Sequence, residues 1–78
     1  MTDEKVIEVA RRYKRMLDGY GLMRESTHAK LIEMPAQIVA FIHAGRREKA
    51  MRWLGFIQGV FWAEGVYTLD ELKEHSKP

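Results

Sequence analysis

The sequence reads as an all-α protein, a small helical bundle with a central αα-hairpin and a short C-terminal helix, completed by oligomerisation. Three features carry that reading. Apolar residues recur at three- and four-residue spacing over long stretches, and nowhere do apolar and polar residues alternate as in a half-buried strand. Stop and start signals fall between those stretches, at Gly19, Gly45, Gly65 and Thr68. The chain has 78 residues and no cysteine. So short a chain buries only about 60% of its unfolded surface. Disulfides and thiolate metal sites are excluded, which leaves self-association as the means of enlarging the core.

The elements follow in order within a single helical domain, 1–78. A first helix is expected over 3–18, capped by Thr2 or Asp3, with Asp3 and Glu4 at its positive end. Val6, Val9 or Ala10, Tyr13, Met16 and Leu17 form its apolar face, and the Gly19-Tyr20-Gly21 turn ends it. A second helix is expected over 27–44, opened by Ser26 or Thr27, with Leu31, Pro35, Ile38 and Ile42 on one stripe. Pro35 removes one hydrogen bond and crowds the preceding turn. The expectation is a continuous helix kinked at Pro35, the alternative being a stop near Glu33 and a new helix at Pro35. A third helix is expected over 46–64, so close behind Gly45 that the two must be antiparallel neighbours. Thr68-Leu-Asp-Glu71 fits a capping box for a last helix over 69–75.

The third helix organises the rest. From Trp53 to Ala63 it is apolar on nearly every side, and an all-round apolar helix is expected to be a buried core element. Gly55, Gly59 and Ala63 share a stripe. Glycine costs roughly 1 kcal/mol against alanine inside a helix, so two of them need a reason. Close crossing by another backbone supplies one, within the protomer or between subunits. We assign Gly55, Gly59, Trp62 and Ala63 to an interface.

Lys and Arg number 13 against 11 Asp and Glu, a net charge of +2 that permits an anionic partner without demanding one. Arg46, Arg47, Lys49 and Arg52 cluster at the start of the third helix, beside Trp53. Guanidinium and ammonium groups next to an indole suit a phosphate with an attached base. These residues, with Gln58 as the one polar side chain in the apolar run, make the candidate ligand set. The plainer alternatives are a solvated helix face and a hydrogen-bonded core glutamine. Cations at a helix N-terminus oppose its dipole, so a local anion, or acids from another helix or subunit, would relieve them. Arg11, Arg12, Lys14 and Arg15 could track phosphates or simply face solvent.

No catalytic set stands out. His28, His43 and His75 lack metal-ligand spacing, and no glycine-rich loop follows a strand. We expect no enzyme, no metal and no cofactor. The longest apolar run, Trp53 to Ala63, has eleven residues, against about 20 needed to span a bilayer. The first residues, MTDEKVIEVARR, hold no apolar signal core.

The segment Arg46 to Gly59, R-R-E-K-x-x-R-W-L-G-F-x-Q-G, with the later T-x-x-E-L-K from Thr68 to Lys73, resembles small proteins encoded in many tailed-bacteriophage genomes. The resemblance covers the C-terminal half closely, and Pro35 departs from it. It implies phage origin, a cytoplasmic setting in the infected bacterial host and an accessory, non-structural role, but no mechanism. By analogy, small accessory proteins of that kind act stoichiometrically, blocking a host protein or sequestering a defence nucleotide. The expected function is therefore a non-enzymatic homo-oligomer that binds a small anionic, nucleotide-like ligand. A protein–protein adaptor or inhibitor, and a nucleic-acid-binding protein, are the alternatives.

Overall fold

A computed structural model describes residues 1–19 and 24–77. Tyr20 and Gly21, expected to complete the first turn, lie outside the described residues. Among the described residues five helices follow one another: α1 (Asp3–Gly19), α2 (Glu25–Leu31), α3 (Met34–His43), α4 (Arg47–Ala63) and α5 (Leu69–His75). Among the described residues there is no strand. The all-α class and the short C-terminal helix are as the sequence implies.

The core is one cluster. Val6, Val9, Ala10, Tyr13 and Leu17 of α1 meet Leu31 of α2, Ile38 and Ile42 of α3, and Ala50, Leu54, Ile57 and Phe61 of α4. The α3 helix packs against both α1 and α4, so it is the middle layer, while α5 rests on α4. In α1, α3 and α4 the buried residues recur at helical spacing, and each of these helices therefore presents one apolar stripe inward.

Turn chemistry fixes the connections. Gly45 and Gly65 adopt left-handed φ values of 74° and 72°, a conformation in which a side chain would be strained. At the end of α3 the Arg46 amide bonds the Phe41 carbonyl at 2.8 Å and Gly45 bonds Ile42 at 3.0 Å. The end of α4 repeats this, with Val66 to Phe61 at 2.8 Å and Gly65 to Trp62 at 3.1 Å. Both are Schellman closures that satisfy otherwise orphaned carbonyls. The first of them turns the chain from α3 straight into α4 and sets the cationic Arg46–Arg52 segment at one end of the bundle. At the start of α1, Thr2 Oγ1 accepts from the Lys5 amide at 3.1 Å.

Two expectations are corrected. The single helix over 27–44 is two helices, because the hydrogen-bond ladder stops at Ile32 and Glu33 and resumes with Pro35 in the first turn of α3. Proline has no N–H to give back to Leu31, and the first turn of a helix is where that loss costs least. The α4 helix is also not buried all round. Ala50, Leu54, Ile57 and Phe61 are buried, but Phe56 and Trp62 are 61% and 58% exposed. Gly55, Gly59 and Ala63 are exposed as well. A Cβ added at either glycine would meet nothing within 4 Å. Among the described residues no backbone crosses the glycine stripe.

Candidate functional site

The expected ligand residues separate into two places. At the α3–α4 turn, Gly45, Arg46, Arg47, Glu48, Lys49 and Arg52 surround an open depression of about 340 Å³. Phe41, from the last turn of α3, underlies it. The Lys49 ammonium lies 4.8 Å from the Phe41 ring centroid and the Arg46 guanidinium 5.8 Å away. Phe41 in turn meets Trp53 edge-on, centroids 5.0 Å apart at 79°. The Phe41 ring thus holds two cations over its surface by quadrupole attraction.

The four cations are not equivalent. Arg47 donates to the Asp3 carboxylate and to the Met1 carbonyl, so its charge ties α4 to the start of α1. Arg46, Lys49 and Arg52 enter no ion pair among the described residues. Among the described residues Glu48 is the one carboxylate lining the depression, so three uncommitted cations face one acid. No side chain caps the α4 N-terminus, and its dipole adds to the positive field there. Arg52 and Trp53 also border a second hollow with Met34 and Phe56. Phe41 was not legible as part of this site, since only the α3–α4 hairpin brings it beneath the cations.

Gln58 lies elsewhere. Its Nε2 donates to the Tyr13 hydroxyl at 3.0 Å and to Ser76 Oγ at 3.3 Å, which makes it a hydrogen-bonded structural glutamine away from the Arg46–Arg52 cations. The Tyr13 hydroxyl also bonds His75 Nδ1 at 2.8 Å. Gln58 can only donate from Nε2, so the phenol proton goes to His75 and that ring is neutral with its proton on Nε2. Burial pushes the Tyr13 phenol up to about 12, which keeps it a donor. Burial likewise holds His75 below the ordinary histidine range, with Arg12 adding to the effect. Phe61 and Tyr67 pack edge-on around this group. The network docks α5 onto α1 and α4. Among the described residues, no buried side-chain nitrogen or oxygen lacks a partner.

The remaining expectations can be placed briefly. His28 Nε2 donates to the Leu17 carbonyl at 2.6 Å, tying α2 to the end of α1. Lys14 pairs with Asp18 at 3.0 Å, and Arg11 and Arg15 share a hollow with Glu4 and Glu8. The basic run of α1 is therefore interleaved with acids instead of forming a continuous stripe. Among the described residues, no group of three His, Asp or Glu side chains could hold a metal, and no helix is long and apolar enough to cross a membrane. Trp62 stands on the open face of α4 beside a hollow that it forms with Gly59, Leu69 and Leu72.

No family model matches the chain, and neither a curated protein nor a solved structure gives a match. The functional reading therefore rests on these residues.

Proposed function

We propose that the protein is a non-enzymatic, self-associating helical binding protein of phage origin that holds a small anionic, nucleotide-like ligand at the α3–α4 turn. The observation that carries this is the set of three cations without a carboxylate partner among the described residues, Arg46, Lys49 and Arg52, gathered around an open depression, two of them over the Phe41 ring that Trp53 meets edge-on. Uncompensated cations in one hollow repel one another, and a phosphate relieves that repulsion with charge-assisted hydrogen bonds. In the adjoining hollow Trp53 and Phe56 stand beside Arg52 and offer a base an aromatic surface. Arg47 contributes by position only, since its guanidinium is engaged by α1.

Isothermal titration with a panel of cyclic and linear nucleotides, with inorganic phosphate as control, tests this. Binding is expected to weaken with salt, and Arg52→Ala or Lys49→Ala should each weaken it about tenfold, the equivalent of roughly 1.4 kcal/mol for a lost charged contact. No heat from any nucleotide overturns the reading. A protein–protein adaptor is the second reading, favoured by the exposed Phe56, Trp62 and Leu69 side chains. In that case a host partner would bind the Arg52→Ala protein unchanged.

A further inference from the structure

We infer that the open face of α4 is a homodimer interface in which α4 of one copy packs antiparallel against α4 of a second copy about a two-fold axis level with Ile57. This deepens the self-association in the function proposed above, and it does not depend on the ligand.

The face is built for close approach. Arg52, Gly55, Phe56, Gly59, Trp62 and Ala63 are all exposed and share one side of α4, opposite the buried Ala50, Leu54, Ile57 and Phe61. At 100° per residue, Gly55, Gly59 and Ala63 form its flat centre, with Phe56 on one shoulder and Trp62 on the other. Two interior glycines weaken a helix, and with nothing within 4 Å of an added Cβ at either, packing among the described residues gives no reason for them. A second helix lying against the stripe does give one. Without Cβ atoms between them, the axes approach toward the short end of the roughly 8–10 Å range.

A second copy fits this face in chemistry as well as shape. A two-fold axis requires the patch to complement itself. The register that sets Gly55 opposite the second copy's Gly59 also sets Arg52 opposite the second copy's Trp62, and the reverse. That pairing places a guanidinium against an exposed indole, twice. The same register brings Phe56 beside its own counterpart near the axis. Charge agrees with the antiparallel sense. The N-terminal part of α4 carries Arg46, Arg47, Lys49 and Arg52 against the single acid Glu48, whereas its other end carries Glu64 and then Asp70, Glu71 and Glu74 against Lys73 and Lys77, so the first end is net basic and the second net acidic. Antiparallel packing brings the basic end of each copy toward the acidic end of the other and also opposes the two helix dipoles. A parallel pair would set like charges together. The α3–α4 depression then lies at the rim of the interface, with Arg52 shared between the two.

Sedimentation equilibrium of the full chain tests the interface, with Gly59→Leu as the variant. Leucine favours the helix, its Cβ meets nothing within 4 Å and the hollow that Gly59 shares with Trp62, Leu69 and Leu72 leaves room for the rest, so the variant keeps its fold by circular dichroism and only a close partner is obstructed. The wild type is expected at twice the 9.1 kDa chain mass, and Gly59→Leu at the single mass. A wild type that remains at the single mass at its highest soluble concentration overturns the interface, as does a Gly59→Leu protein that dimerises as well as the wild type. Nucleotide titration of the Gly59→Leu protein keeps the two proposals apart. Binding that survives in the monomer confirms the ligand site independently, and its absence in both proteins leaves the dimer result standing.

Discussion

Tyr13 and His75 stand 62 positions apart yet share the 2.8 Å bond on which the docking of α5 turns. Their environment makes stability depend on pH in a direction that can be worked out. His75 is held below the ordinary value near 6.5, chiefly by burial, then by Arg12 and Lys5, against the opposing pull of Glu71 and Glu74. A depressed histidine binds fewer protons folded than unfolded, so its contribution is whole above about pH 6.5 and fades as pH falls toward the folded value. Tyr13 works in the opposite range, since a phenol pushed from 10.0 to about 12 loses its contribution as pH climbs past 10. Urea midpoints are therefore expected to fall on both sides of neutrality. Tyr13→Phe should cost about 1–3 kcal/mol, because Gln58 and His75 both lose a buried partner, and replacing the titrating ring itself, His75→Gln, should flatten the acidic limb. An acidic limb unchanged in that variant would mean that another group titrates. The burial of Tyr13 was legible from helical spacing, and so were the two readings of Gln58. The pairing was not, because nothing local to Tyr13 or His75 reports a contact made across the whole chain.

The helices show which signals survive translation from sequence to structure. Thr68 and Glu71 exchange hydrogen bonds of 3.1 and 2.9 Å, the reciprocal capping box expected there. That box was legible because both bonds lie within four residues. With seven residues α5 is too short to stand alone, so its cap should matter. Thr68→Ala is expected to lower global stability by about 1 kcal/mol and to speed amide exchange in α5 ahead of α1, α3 and α4. Equal protection across all five helices would show α5 to be held by its side chains alone. The α2–α3 break was harder to read. Ile32 and Glu33 keep right-handed dihedrals, with φ and ψ of −61° and −28°, and −86° and −17°. The apolar stripe Leu31, Pro35, Ile38 therefore keeps helical period straight through the break, and periodicity could not separate a kink from a stop. The exposure of α4 misled for a different reason. An apolar face announces that it will be covered, but in a bundle this small only one stripe of α4 finds cover among the described residues.

At the scale of the molecule, the uncovered stripe and the small size of the core have one consequence that can be measured. If two copies share the α4 face, unfolding is coupled to dissociation, and apparent stability follows protein concentration by mass action. A tenfold rise in concentration adds about 1.4 kcal/mol per dimer, or roughly 0.7 kcal/mol per chain. For a domain of this length, 1 kcal/mol moves the melting temperature by about 4–8 °C. The wild type should therefore melt about 3–6 °C higher for each decade of concentration, whereas Gly59→Leu should melt at a fixed temperature. The dilute limit sharpens the contrast. There the interface is lost from both proteins, and Gly59→Leu should be the more stable by up to about 1 kcal/mol, because leucine replaces glycine in a helix over open space. The two curves should cross as concentration rises. A wild type whose melting temperature ignores concentration would mean that Gly55, Gly59, Phe56 and Trp62 face solvent or another partner, and an exposed apolar strip of that kind would then have to be covered by a different molecule. The crossing is the more demanding result, since it requires the glycines to be unfavourable within the protomer and favourable between protomers.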